Sequence, residues 1–336
     1  MLNIRLIYEQ LEAARSYLQS RSVLGCRMAL ILLDNAAELM MHRELGEQFT
    51  REDKWAPKWE PARTQWFQGE FGPKYAPEER KGAEREFEPK TRILCLRLRL
   101  ISAEDRHILN VCHRLRCEAF HRGVLRPTIL EHISTLLYLT VVELTIKLPF
   151  GSMTLPGPTL TAEESVFLKR FDIPHGMSLI TDEGRQQMAD RLRDGITLDV
   201  PSFLSALSDD LVERIDATVG GLETVGETHD RSRIDRNLQY TQFWREIGAK
   251  LAESGTREPA LEAAYLRWQG EGHARYTLHK IGLWRRQAEA LRRARTPATA
   301  LDSYWAVDRR LRPLEEDLFD AVFHYEEEID ARIRSR

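Results

Sequence analysis

Residues 102–126 read SAEDRHILNVCHRLRCEAFHRGVLR, and the punctuation of this stretch organises the rest of the chain. Ser102 followed three residues later by Asp105 is a capping-box start, and Gly123 after Arg122 is a C-terminal stop, so the spacing predicts one helix between them. At about 100° per residue, Ile108, Cys112, Leu115 and Ala119 fall on one side of that helix. Arg116, His113, Cys117 and His121 spread over an arc of about 140° away from it. An arginine and a histidine near a helix end, pointing away from the domain's own core, can serve a cleft or a partner subunit.

Helical spacing recurs on both sides of this segment. Leu6, Leu11, Ala14 and Leu18 form one face of a first helix, and a second runs from about Ser22 to Leu45 with Met28, Ile31, Leu32, Leu39 and Met40 mostly inward. Residues 47–90 change character: Trp55, Trp59, Trp66, Phe67, Phe71 and Tyr75 alternate with Pro57, Pro61, Pro73, Pro77 and Pro89. Proline at that density predicts no long continuous helix, and the aromatics suit an ordered insertion or lid. Pro127 then opens a helix to Lys147, and PFGSMTLPGPTL at 149–160 reads as a domain boundary. Beyond it the pattern predicts helices at about 161–171, 182–193, 201–218, 232–254, 258–294 with a break near Gly270–Gly272, and 298–333 with a break at Pro313. No stretch alternates like a strand, and no Asn-Gly or Asp-Gly hairpin joins strand-like runs. The expected architecture is all-α: a helical bundle over 1–148 with an aromatic, proline-rich insertion at about 47–90, a linker at 149–160, and a helical C-terminal domain over 161–336.

Composition narrows the function classes. Among 336 residues, 42% are hydrophobic and 30% charged, which suits packed domains and excludes a disordered chain. The net charge of −3 is not the footprint of non-specific nucleic-acid binding. It is uneven, however: residues 1–150 hold 23 basic against 20 acidic side chains and the remainder 26 against 32, leaving room for a local basic site in the first half. Four cysteines make no disulfide framework and read as reduced thiols. The start of the chain lacks a signal-peptide pattern, and the longest nearly uncharged stretch, Ile133 to Ile146, is interrupted by Glu143 and falls short of a membrane span. The expectation is a soluble, cytoplasmic protein without a membrane partner. No P-loop, GxGxxG turn or GxSxG elbow is present, so nucleotide hydrolysis and serine chemistry lack support.

Arg116-Cys117-Glu118-Ala119-Phe120-His121, followed at once by Arg122-Gly123, resembles the R-x(4–6)-H motif of HEPN domains, the higher-eukaryote and prokaryote nucleotide-binding helical bundles. Ile31-Leu32-Leu33-Asp34-Asn35-Ala36-Ala37-Glu38-Leu39 is similar to the polar-in-apolar helix of bacterial members. The resemblance covers about residues 1–148 without the insertion. It implies a metal-independent endoribonuclease of toxin or defence type, acting as a homodimer on RNA at a composite cleft, with no cofactor. It assigns His121 as general acid/base and Arg116 as electrostatic stabiliser. Asp34, Asn35 and Glu38 then become candidates for orienting the motif, with His113 and Cys117 as further polar neighbours. Many active members carry Asn or Asp after the arginine, where this chain has Cys117. The C-terminal half is expected to sense a trigger, bind an inhibitory antitoxin-like partner or set RNA choice. The alternative is a catalytically silent HEPN-like module for dimerisation and partner binding.

The same residues admit other chemistry. His113, Cys117 and His121 are spaced i, i+4, i+8, and thiolate with imidazole suits zinc if Glu38 or His42 completes a site, although no CxxC or HExxH pair is present. Trp55 and Trp59, among Lys54, Lys58, Arg63 and Lys74, can stack RNA bases or pack the insertion, and Arg122 and Arg126 are the adjacent candidates for phosphate contact. Arg285, Arg286, Arg292, Arg293 and Arg295 form a basic stretch that reads either as a phosphate patch or as an exposed face paired with Glu315, Glu316 and Asp317.

Overall fold

A computed structural model describes residues 2–59, 75–121, 126–148, 166, 169–170, 181–225 and 230–334. The side chains of 2–4, 55–59, 121, 225, 231, 241, 244–245, 249, 252, 258 and 320–334 lie outside that description. The described residues form helices joined by short turns and loops, with no strand among them, so the chain is all-α. Contacts divide it into two compact units, 1–203 and 204–336.

In the first unit, helix α1 (Leu2–Gln19) buries Ile7, Tyr8, Leu11, Ala14 and Leu18 on one stripe, the repeat expected of an amphipathic helix. The chain reverses at Ser20 and Arg21, the latter with φ 48°, and the Ser22 hydroxyl accepts from Gly25 N at 3.0 Å. Gly25 is required at that corner: a Cβ there would lie 2.6 Å from the Tyr17 carbonyl oxygen and closer still to Ser20 Oγ. Helix α2 (Val23–Trp59) runs for 37 residues, through Pro57 and well into the stretch expected to resist a long helix. Its inward face also differs from expectation. Cys26, Ala29, Leu30, Leu33, Ala36, Ala37, Met40 and Met41 are buried, whereas Leu39 is exposed and Met28, Ile31 and Leu32 are half-buried. The reason is that α2 is flanked by α1 and by several later helices, so its small residues face neighbours on several sides.

Those later helices are α3 (Pro77–Arg85), α4 (Phe87–Leu96), α5 (Ala103–His121) and α6 (Pro127–Lys147). Ser102 and Asp105 form the reciprocal cap at the start of α5, with Ser102 N donating to Asp105 Oδ2 at 2.8 Å and Asp105 N to Ser102 Oγ at 3.0 Å. Ile108, Cys112, Leu115 and Ala119 are buried, as the spacing predicts. Near its other end, Arg27 donates to the Ala119 carbonyl at 2.9 Å, tying α5 to the start of α2. Helix α6 is long and apolar enough to cross a membrane by length and composition, but about two-thirds of that window is buried within the protein. It packs against α1, α2 and α5 as the unit's central apolar rod.

The contact boundary does not fall at 149–160, a stretch that lies outside the described residues. Helix α7 (Asp182–Arg193), expected in the second domain, packs on α6 of the first unit: Tyr138 Oη donates to Leu192 O at 2.7 Å and Arg193 pairs with Glu143. The division comes instead at 203/204, within helix α8 (Val200–Val225).

The second unit continues with α9 (Arg231–Phe243), a π-helical turn at Trp244–Gly248, α10 (Ala249–Glu253), α11 (Glu258–Gly270), α12 (Leu278–Ala290), a 3₁₀ turn at Leu291–Arg293, and α13 (Pro297–Arg334). The expected break near Gly270 to Gly272 is present, with Gly272 at φ 75°. The expected break at Pro313 is absent: α13 continues through it, held by buried Leu311 and Leu314 on either side. Phe243, Tyr265 and Trp268 form one aromatic core, with Phe243 and Trp268 ring centres 5.9 Å apart. Arg214 of α8 bridges to α13 through Asp308 at 2.7 Å and Glu315 at 2.5 Å, beside Asp210, which accepts from Tyr304 Oη at 2.7 Å.

Candidate functional site

Three helices of the first unit bring the polar residues of the motif region together. Asp34 of α2 lies in an otherwise apolar stretch and is only 2% exposed. A lone carboxylate there is costly unless compensated, and α5 supplies the compensation. His113 Nδ1 lies 2.9 Å from Asp34 Oδ1, and Arg116 Nε lies 3.2 Å from Asp34 Oδ2. The second pair is a charge contact rather than an aligned hydrogen bond, with both atoms shut off from solvent. His113 and Arg116 side chains are each 25% exposed. They therefore reach inward to the carboxylate instead of standing wholly free on the outer face as the helical projection suggests.

Helix α4 closes the cluster from another side. The Phe87 ring stacks on the His113 imidazole, centroids 4.0 Å apart and planes 10° from parallel, which fixes the orientation of the imidazole. One turn on, Lys90 is buried, and its ammonium donates to Glu38 Oε1 at 2.9 Å and to the Glu86 carbonyl at 3.3 Å. Thr91 donates to the Glu88 carbonyl at 2.8 Å, and its hydroxyl lies 3.1 Å from Asn110 Oδ1, joining α4 to α5.

The imidazole's far nitrogen, Nε2, meets Cys117 Sγ at 3.7 Å, one helical turn along α5. Arg116 Nη1 reaches the same sulfur at 3.8 Å, and its guanidinium lies 5.8 Å from the Phe120 ring centre. The result is a compact polar group in which Asp34, His113, Arg116 and Cys117 touch in series. Cys112, on the apolar side of the same helix, has the opposite environment. Burial, and secondarily the Asp34 charge, pushes its thiol far above the ordinary range, so it stays protonated.

The other sequence candidates scatter. Glu38 pairs with Lys90. Asn35 faces α1, donating to Gln10 Oε1 at 3.1 Å, and has turned away from the motif. Arg126, expected at an RNA phosphate, is instead paired with Glu118 at 3.6 Å, with both side chains about nine-tenths buried. An arginine held inside by its own carboxylate is not presented to a strand. The side chains of His121, Arg122, Trp55 and Trp59 lie outside the described residues. Among the described residues no group of three or more His, Cys, Asp or Glu side chains converges on a point that could hold a metal ion. In the second unit two arginines of the basic stretch are tied down singly: Arg285 pairs with Asp216 at 2.7 Å and Arg292 with Asp209 at 2.5 Å, while Glu315 is taken by Arg214.

Two residues of the cluster escaped the sequence reading, Phe87 and Lys90. Both lie in 47–90, where the prolines dominated. Their signal was present: Phe87, Lys90, Thr91 and Leu94 share an i, i+3, i+4, i+7 stripe, and a lysine on such a stripe asks for a buried partner.

The chain matches no protein-family model, no curated protein and no solved structure among those compared with it.

Proposed function

We propose that the chain is a metal-independent endoribonuclease acting as a homodimer on RNA, with Arg116 and His121 as its catalytic pair. The observation that carries this reading is the buried Asp34 carboxylate at Arg116 Nε. Held there by the carboxylate charge at Nε and by the contact of Nη1 with Cys117 Sγ, the guanidinium is positioned before substrate arrives, and its quarter-exposed side chain can meet a phosphate oxygen. A fixed cation of this kind favours the dianionic phosphorane over the monoanionic ground state, which is the condition for acceleration. His121, one helical turn and one residue further along α5, takes the ribose 2′-hydroxyl proton as that oxygen attacks phosphorus. The P–O5′ bond breaks and the leaving oxygen receives a proton, leaving 2′,3′-cyclic phosphate and 5′-hydroxyl ends. Two chains each donating an α5 motif would supply one acid and one base to a shared cleft.

The test is cleavage of total cellular RNA by the purified protein in EDTA, with end-group analysis, beside His121→Ala and Arg116→Lys. The lysine keeps a cation on Asp34 but lacks the planar fork. Each substitution is expected to lower the rate by about 10²-fold or more, the usual scale for a lost acid/base or electrostatic group. Equal rates in the variants overturn the assignment. Absence of cleavage by folded, dimeric wild-type protein overturns the ribonuclease reading and favours the silent dimerisation module.

A further inference from the structure

The serial contact Asp34–His113–Cys117 has a chemical meaning independent of RNA cleavage. Asp34 Oδ1 faces Nδ1 at 2.9 Å and Cys117 Sγ faces Nε2 at 3.7 Å, so the tautomer with its proton on Nδ1 donates to the carboxylate and presents the Nε2 lone pair to the thiol. That is the arrangement of an activated nucleophile: thiol, base, and a carboxylate that holds the base in one tautomer and orientation. Phe87 stacked on the ring removes its remaining freedom. On the other flank Arg116 Nη1 lies 3.8 Å from the same sulfur, where its positive charge faces an anionic reaction partner. The charged groups facing the imidazole and the sulfur are thus Asp34 from α2 and Arg116 from α5, while α4 contributes the apolar Phe87. Cys117 is half-buried, in contrast to fully buried Cys112.

We infer that Cys117 is a reactive thiol and a covalent modification site for small, anionic disulfides. In the exchange, His113 Nε2 takes the Cys117 proton and Sγ attacks one sulfur of the disulfide. A new S–S bond forms to Cys117 as the old one breaks, the departing sulfur leaves as a thiolate, and His113 passes the proton to solvent. Electrons and protons balance without any further reagent. Among the described contacts no second cysteine touches Cys117, so the product is a mixed disulfide with the small thiol.

The probe is dithiobis-nitrobenzoate, an anionic aromatic disulfide, reacted with the native full-length protein at pH 7 and followed by release of its coloured thiolate. Labelled peptides are then assigned by mass spectrometry. An unassisted thiol is only about 3% thiolate at that pH, which limits the possible gain to about thirtyfold. Cys117 is expected to react at least about tenfold faster than half-buried Cys95, within that limit. Cys117→Ser removes the fast phase. His113→Gln slows it about tenfold at pH 7, and the difference closes as alkaline pH forms the thiolate without help. Circular dichroism of both variants checks the fold, and Cys95 serves as the reference inside each protein. A Cys117 rate equal to that of Cys95, or a fast phase unchanged in folded His113→Gln, overturns the inference. Neither result depends on whether RNA is cleaved.

Discussion

Replacing Arg116 by Met keeps the length and packing of the stem but leaves Asp34 without its cation. The two charges lie 3.2 Å apart. At an effective dielectric constant of about 20 their gross attraction is about 5 kcal/mol. Much of that offsets the cost of enclosing the carboxylate, so the net loss on breaking the pair should be about 3 kcal/mol. Exposure makes the two halves unequal. Asp34 is 2% exposed and would be left enclosed without its cation, whereas Arg116 at 25% can recover some hydration. Arg116→Met should therefore cost more than Asp34→Asn, which retains an oxygen for His113 Nδ1 and should cost about 2 kcal/mol. The double variant removes both charges and should cost less than the sum of the singles by about 2 kcal/mol. Urea unfolding of the first unit measures these differences. In a thermal scan, about 3 kcal/mol corresponds to roughly 6–12 °C for a unit of this size. A cost below about 1 kcal/mol for Arg116→Met, or single costs that add within about 0.5 kcal/mol, refutes the pairing argument.

Other perturbations address separate parts of the molecule. Lys90→Met should be tolerated, with a stability change within about 1 kcal/mol of neutral, because its aliphatic stem is already buried and Glu38 can return to water; a loss above about 3 kcal/mol in urea unfolding contradicts this. Asp308→Ala, at a fully buried position paired with Arg214 and Arg312, should cost about 3–5 kcal/mol and lower the melting temperature of the second unit; an unchanged melting curve counts against the network. Burial pushes the Tyr8 phenol up to about 12, opposed in part by the Thr145 hydroxyl and Arg185. The unfolded phenol ionises first, near pH 10, so stability should fall as pH rises from about 10 to 12, by up to about 3 kcal/mol, and Tyr8→Phe should flatten that slope. An identical alkaline slope in the variant removes Tyr8 as its cause.

Some of the site was legible in the sequence because it follows from local geometry. The capping pair Ser102 and Asp105, the apolar side of α5, and the apolar face of α1 depend on residues within a turn or two of each other. Asp34 was recognisable as a polar residue in an apolar helix, since the apolar residues flanking it stand beside it in the sequence. Its partners were not, because α2 and α5 are 79 residues apart at the Asp34–His113 contact. The inward face of α2 was misplaced for a related reason: an apolar stripe is easy to read with one neighbour and ambiguous with several. Proline also misled at two places. Its missing N–H weakens a helix locally, but tertiary burial kept α13 continuous through Pro313, and α2 runs on through Pro57.

By itself the sequence determined that the chain is all-helical, that a helix ends near His121, and that an acid, two histidines, an arginine and a cysteine occur at helical spacings. Those statements rest on interactions that act over one or two turns. Tertiary structure alone decided which of them meet. It set Asp34 between His113 and Arg116, brought Phe87 and Lys90 in from a segment dominated by prolines, and withdrew Asn35 and Arg126 into other pairs. A buried charge accepts only partners that packing delivers within about 4 Å, and packing is a property of the assembled helices.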